Sequence, residues 1–227
     1  NIDQVFLLIT IDSPPTFTSF IDRFLATTEA YAIKAILLFN KVDVNDEATQ
    51  KIVKELSTLY QSIGYQCLII SAKTGENIEA VKTLMTGKSS MFAGHSGVGK
   101  STLVNSIEPG LNIKTKEISE QHKQGQHTTT FAEMFDLSFD AQIIDTPGIK
   151  GFGVVDMEPA EVDNYFPELF ALKQSCKFNN CLHLHEPQCA VKLALEQNQI
   201  APSRYKSYTQ ILEGDDEHYR TDNYEPK

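Results

Sequence analysis

The sequence predicts an α/β fold on a mostly parallel sheet, followed by a smaller, mainly helical segment. Three observations lead there. Short, nearly continuous apolar runs alternate with stretches whose apolar residues recur at helical spacing, the pattern of strands covered on both faces by helices. A glycine-rich turn, Gly94 to Ser101, stands between one such run and an apolar helical stretch. After Gly151-Phe152-Gly153 the apolar runs give way to short helical stretches around a cluster of cysteines and histidines.

Taken in order, Val5 to Ile11 (V-F-L-L-I-T-I) is the first buried strand. Beyond Ser13-Pro14-Pro15, residues Phe17, Phe20, Ile21, Phe24 and Leu25 mark one face of a helix. Ala35 to Phe39 is the next strand, ending in Asn40-Lys41-Val42-Asp43. Ile52, Val53, Leu56, Leu59, Tyr60 and Ile63 then repeat at helical spacing, and Gly64 closes that helix. Cys67 to Ile70 forms a short strand running into Ser71-Ala72-Lys73, and Ile78, Val81, Leu84 and Met85 define a third helix. Met91-Phe92-Ala93 leads into the glycine-rich turn, and Leu103, Val104 and Ile107 continue as a helix. Leu111 to Gln126 is polar, aperiodic and lysine-bearing, and reads as a loop. Two strands follow, Phe131 to Asp136 and Ala141 to Ile144. A boundary near Val155 divides residues 1–155 from residues 156–227, in which Val162 to Phe170, Ala190 to Glu196 and Tyr205 to Leu212 are helical. The charged, apolar-poor end from Gly214 is expected to fray.

Bulk properties narrow the function classes. A chain of 227 residues holds one large domain with a small companion. It lacks an apolar run of membrane-spanning length and opens on a strand-like segment rather than a cleavable leader, so we expect a cytoplasmic chain with no membrane partner. A formal net charge of −10 argues against the chain as a whole binding nucleic acid electrostatically, which requires clustered Lys and Arg. Three of the four cysteines fall within residues 176–189, a spacing that suits a metal site better than a disulfide framework; Cys67 reads as a buried strand residue.

Gly94-His95-Ser96-Gly97-Val98-Gly99-Lys100-Ser101 is a G-x-x-x-x-G-K-[ST] turn between strand and helix. Its glycines allow consecutive backbone N–H groups to face a phosphate, and the helix N-terminus through Thr102 adds its positive dipole end. Lys100 is expected to reach the β- and γ-phosphates and to serve hydrolysis, while the Ser101 hydroxyl ligates Mg²⁺. Asn40-Lys41-Val42-Asp43 supplies a base reader. The Asp43 carboxylate accepts from guanine N1–H and the exocyclic amine, and adenine offers no such pair of donors. Sites built on such hydrogen bonds reject the analogue lacking them by about 10⁴. Asn40 supports the loop and touches the base edge, Lys41 and Lys73 stack on the ring, and the Ala72 N–H of Ser71-Ala72-Lys73 meets the guanine oxygen. Asp145-Thr146-Pro147-Gly148 offers a carboxylate for Mg²⁺ and, at Gly148, an N–H for the γ-phosphate.

In His127-Thr128-Thr129-Thr130, Thr129 is the expected switch ligand of Mg²⁺, ordered by the γ-phosphate. Ile149 stands where many GTPases carry a water-orienting glutamine, and isoleucine cannot do that work; His127 is the candidate substitute. Unassisted turnover should be slow, about 10⁻⁴ to 10⁻² per second. Cys176-x₄-Cys181-x-His183-x₅-Cys189 is a closed ligand set for structural Zn²⁺, with His185 as a competing ligand.

The base-reading motifs precede the phosphate loop, the reverse of the usual GTPase order. Rejoining the usual termini and opening the chain elsewhere leaves the sheet and site intact, and sends the Asp145 segment directly into the zinc-bearing region. Motifs in this permuted order, with the Cys/His spacing behind them, resemble the bacterial ribosome-assembly GTPases of the RsgA (YjeQ, EngC) family across residues 1–213. The resemblance implies GTP as substrate and GDP as product, hydrolysis stimulated by the small ribosomal subunit and a late maturation role there. It also implies a zinc-binding C-terminal domain and a hydrolytic histidine at His127. That family carries an N-terminal OB-fold that helps bind ribosomal RNA, and these 227 residues hold no counterpart of it. We expect a monomer. The other function classes kept open are a GTP-dependent regulatory switch on another protein partner and a zinc-stabilised RNA module with an inert nucleotide site.

Overall fold

The structure, a computed structural model, describes residues 2–111, 133–145 and 157–214, with backbone alone at Glu133 and Asp145. His127, Thr129 and Gly148 lie outside the described residues, as do most of the lysine-bearing loop and the end beyond Gly214. The chain divides into two compact units, one of residues 1–16 and 33–153, the other of residues 17–32 and 154–227.

The first unit is a six-stranded sheet. Its strands are β1 Gln4–Ile9, β2 Lys34–Phe39, β3 Gln66–Ile69, β4 Ser89–Ala93, β5 Glu133–Leu137 and β6 Ala141–Asp145, in the spatial order β3-β2-β1-β4-β6-β5. All neighbours are parallel except β5 and β6, which form an antiparallel pair at one edge. The five parallel strands therefore end on one side. Every residue of β1 is buried, which is why that strand reads as an unbroken apolar run: it lies between β2 and β4 and has both faces covered. Strand order runs outward from β1 to β2 and β3 on one side, and from β4 to β6 on the other. The crevice where the order reverses lies at the ends of β1 and β4, the usual place for a ligand in an open α/β sheet.

The helices of this unit follow the sequence periodicity. Helix α2 (Glu47–Ile63) starts where the Asp46 carboxylate accepts the Thr49 N–H at 2.8 Å, and it stops at Gly64, whose φ of 119° suits glycine. Helix α3 (Ile78–Met85) buries Ile78, Val81 and Met85, and α4 (Lys100–Ile107) buries Leu103, Val104 and Ile107. These six side chains join Phe6, Leu8, Ile36, Leu38 and Phe92 in one core.

The second unit contains helix α1 (Thr18–Ala30), which connects β1 to β2 in sequence, together with α5 (Pro167–Lys173), α6 (Ala190–Glu196) and α7 (Pro202–Leu212). Where the spacing predicts one helix from Val162 to Phe170, there is a 3-10 turn, Val162–Tyr165, and a separate α5. Phe166 between them is extended, φ −119° and ψ 95°, because the ring of Pro167 disfavours helical geometry in the residue before it. The core comprises Val162, Phe166, Leu169, Val191, Ala194, Ile200 and Tyr208, with Ala26 from α1.

A buried ionic cluster that sequence periodicity does not reveal ties α1 into this unit. Arg204 donates to Asp22 Oδ1 at 3.0 Å and to both oxygens of Glu168 at 2.6 and 3.1 Å, and Ser207 Oγ donates to Asp22 Oδ2 at 2.6 Å. Arg204 and Asp22 are wholly buried, and the guanidinium lies 4.5 Å from the Phe166 ring centre. Breaking such a pair leaves a carboxylate in low dielectric without its cation. Arg204→Met should cost about 3–5 kcal/mol in urea unfolding of the protein. A loss below about 1 kcal/mol would show that the cluster contributes little.

Candidate nucleotide and metal sites

The phosphate loop leaves β4 at Ala93 and enters α4 at Lys100, beside β1. Two of its glycines are demanded by close approach. A Cβ on Gly94, where φ is 138°, would stand 2.7 Å from Leu8 O, and one on Gly99, where φ is 102°, would stand 2.5 Å from Asn40 Nδ2. Val98 is buried, whereas Ser96 and Gly97 are exposed; Ser101 and Thr102 occupy the first turn of α4. Lys100 folds over the loop, its Nζ donating to the carbonyls of Gly94 at 2.6 Å and His95 at 2.7 Å. Burial pushes Lys100 down to about 8.

The base-reading segments meet the phosphate loop through Asn40, which is buried just past the end of β2. Its Nδ2 donates to Val98 O at 2.8 Å, and its Oδ1 accepts the Ala72 N–H at 2.9 Å. One side-chain amide thus ties together the loops that follow β2, β3 and β4. Asp43 sits in a 3-10 turn, Val42–Val44, where its Oδ1 accepts from the buried Ser71 hydroxyl at 2.7 Å. Ser71 Oγ also accepts the Thr74 N–H, so both loops orient the carboxylate. The spacing of Ser71 from Asp43 gave no signal for this contact, which depends on the parallel pairing of β2 with β3. Asp43 itself is exposed.

Lys41, with φ of 68°, donates to Ser13 O, while Lys73 is exposed. The Ala72 N–H, expected to face the guanine oxygen, is held by Asn40, so a base oxygen would share or replace that bond. Asp145 ends β6 on the same side of the sheet as the phosphate loop.

In the second unit the ligand atoms of Cys176, Cys181, His183 and Cys189 all lie within 4.8 Å of one another. His183 Nδ1 is 3.3 Å from Cys189 Sγ and 3.6 Å from Cys176 Sγ, and the two sulfurs are 3.9 Å apart. Tetrahedral bonds of about 2.3 Å to sulfur and 2.0 Å to nitrogen require separations of about 3.8 and 3.5 Å, so these donors fit Zn²⁺. Such a metal would be held by four protein ligands and would act structurally, with no position left for a substrate.

The loop around these ligands is braced from several sides. Glu186 accepts the N–H groups of Leu182, Leu184 and His185; Tyr205 and Tyr208 donate to the carbonyls of His183 and Leu182. His183 Nε2 faces Asp163 Oδ2 at 3.2 Å. The alternative ligand, His185, is exposed and outside the four-residue group. Burial pushes the thiols of Cys181 and Cys189 upward, so zinc must displace their protons. Cys67 stands apart in β3, buried and likewise pushed up, to about 11.

A glycine-rich phosphate-loop motif joined through Asn40 to the Asp43 and Ala72 loops, at the switch point of a parallel sheet, is the arrangement of a P-loop nucleotide enzyme whose GTPase motifs run in permuted order. A sequence model of the RsgA GTPase family matches residues 1–155. A curated relative from Flavobacterium johnsoniae, the small ribosomal subunit biogenesis GTPase RsgA, is 67% identical over 224 residues, covering 99% of this chain and 69% of the relative. The crystal structure of YjeQ from Thermotoga maritima aligns with TM-score 0.82 at 38% identity, over 94% of this chain and 71% of that one. YloQ, described as a circularly permuted GTPase, aligns with TM-score 0.77 at 31% identity, over 94% and 68%. The chain belongs to the RsgA GTPase family and is a GTP-hydrolysing enzyme.

The state of Lys100 gives a testable pH dependence. Its ordinary value is 10.5, and burial lowers it in the free protein, so the charged form is lost from about pH 8 upward. Polyphosphate favours the ammonium. GDP binding at pH 8.5 should therefore take up a large fraction of one proton, and affinity should fall about tenfold from pH 7 to pH 9. Calorimetry in buffers of different ionisation enthalpy reads the proton directly, and zero uptake at pH 8.5 would contradict the assignment.

Proposed function

We propose that the protein is a GTP-hydrolysing assembly factor for late maturation of the small ribosomal subunit, acting as a monomer in the cytoplasm on the subunit and its ribosomal RNA. The observation that carries the nucleotide half of this reading is the Asn40 bridge, which joins the base loops to the phosphate loop in one continuous set of hydrogen bonds. The name of the Flavobacterium relative supports the ribosomal half. No helix among the described residues is long and apolar enough to cross a membrane.

In this reading Asp43, held by Ser71, selects guanine, and Asn40, Lys41, Ala72 and Lys73 line the base. The loop from Gly94 through Thr102 cradles the phosphates. Lys100 exchanges the Gly94 and His95 carbonyls for phosphate oxygens. Ser101, Asp145 and Thr129 would hold Mg²⁺, which supplies charge neutralisation between the phosphates. Gly148 senses the γ-phosphate, and His127 orients the attacking water.

Measuring GTP turnover with and without purified small subunits tests the reading. Strong stimulation by the subunit is the expected result. Turnover indifferent to the subunit would favour a regulatory switch on another protein, and no turnover in either case would leave an RNA-binding module with an inert nucleotide site.

A further inference from the structure

We propose that Asp163 is the positioning residue that fixes His183 for metal binding. The inference rests on the reading of Cys176, Cys181, His183 and Cys189 as the zinc ligands. Only one imidazole nitrogen can face the metal, and the short distances from Nδ1 to the sulfurs of Cys176 and Cys189 identify it. Nδ1 must then offer its lone pair, so Nε2 carries the hydrogen. At 3.2 Å from Nε2 stands Asp163 Oδ2, an acceptor for that hydrogen. The ring is wholly buried and the Asp163 side chain is only 4% exposed, so water does not compete for the bond.

The carboxylate is itself held. Its second oxygen, Oδ1, accepts from Lys173 Nζ at 2.8 Å, and the same ammonium donates to Asn164 Oδ1 at 3.0 Å. Asp163 lies in the 3-10 turn Val162–Tyr165 and Lys173 ends α5, so two short elements lead to one ring nitrogen. An acceptor placed behind a ligating imidazole selects its tautomer, orients the ring and raises its basicity, and loss of such a partner ordinarily weakens metal binding by 10–100-fold.

An alternative role for Asp163 is as the ion-pair partner of Lys173, with no bearing on the metal. Zinc titration of the full chain against a competing chelator, using Asp163→Ala, Asp163→Asn and Lys173→Met, separates the two. Positioning predicts a 10–100-fold loss of Zn²⁺ affinity in Asp163→Ala and substantial recovery in Asp163→Asn, whose amide oxygen still accepts. It predicts a change within about threefold in Lys173→Met, which keeps the acceptor. A second readout is the histidine ¹⁵N spectrum of the zinc-loaded protein, where wild type should show Nδ1 bound and Nε2 protonated and Asp163→Ala a broadened or shifted Nε2–H signal. Asp163→Ala binding zinc as wild type, or Lys173→Met reproducing its loss, overturns the proposal. If Asp163→Ala does not fold, the ¹⁵N spectrum of the zinc-loaded wild type decides it: Nδ1 bound and Nε2–H shifted by a hydrogen bond supports the proposal, and Nε2 bound or an Nε2–H with no such shift overturns it. A wild-type chain that binds no zinc would overturn the ligand assignment itself, a result distinct from all of these.

Discussion

Zinc removal should unfold the second unit while leaving the parallel sheet folded. That unit is small and its core includes the ligands themselves: Cys181 and Cys189 are buried beside Val191, Phe166 and Tyr208, and His183 sits within 6.1 Å of the Tyr208 ring. Without the metal, three thiols and an imidazole must be packed together with only weak mutual hydrogen bonds. Structural zinc contributes about 10 kcal/mol or more in comparably small modules, well above the stability of a short helical unit. Cys189→Ser should have the same effect, since a serine hydroxyl is a poor zinc ligand, while it can still accept the Lys192 N–H at the start of α6, so the loss reads the metal and not the cap. The sequence contains eight tyrosines and no tryptophan, and Tyr205 and Tyr208 both brace the ligand loop, so tyrosine fluorescence reports the transition. Chelation that left tyrosine emission and proteolytic resistance of residues 157–214 unchanged would show that the metal is dispensable.

Asp43→Asn should move nucleotide preference from guanine to xanthine. A carboxylate accepts two hydrogen bonds, from N1–H and the amine at position 2. An asparagine accepts one and donates one, matching N1–H and the oxygen that xanthine carries at position 2. Sites of this kind discriminate by about 10⁴, so the substitution should lower GTP affinity by about 10³ to 10⁴ and raise that for XTP by a comparable factor. Ser71 is placed to orient the new amide oxygen as it does the carboxylate. Equilibrium binding of labelled nucleotides measures both. Retained GTP affinity would mean that Asp43 does not read the base. Ser71→Ala, by contrast, should act more mildly, about tenfold, because the carboxylate remains and only its orientation loosens.

Much of this architecture was legible in the sequence, for identifiable reasons. Strands β1, β2 and β4 announced themselves because a strand covered on both faces must be apolar at nearly every position. Helix α2 carried both an aspartate cap and a closing glycine. Other features depend on tertiary contacts that periodicity does not encode. Apolar spacing in α1 points to one buried face, yet every residue from Ile21 to Thr28 is buried, Asp22 and Arg23 on the other side included, while Phe17 is exposed. The break at Phe166 was missed, although Pro167 marks it, and so was the antiparallel pairing of β5 with β6; Asp140, at φ 57°, turns the chain between them.

At the sites, motif spacing pointed to Asn40, Asp43, Lys100 and the four metal ligands. It favoured His183 and left His185 as a competitor; burial and distance select His183. Ser71 as the orienting partner of Asp43 became visible only with the strands in register.

The central claim is that loops following β2, β3 and β4 form a single guanine-nucleotide site despite their inverted order along the chain. Calorimetric titration of the protein with GDP and with ADP tests it most directly. The account predicts a preference for GDP of about 10³-fold or more, and equal affinities for the two would contradict it.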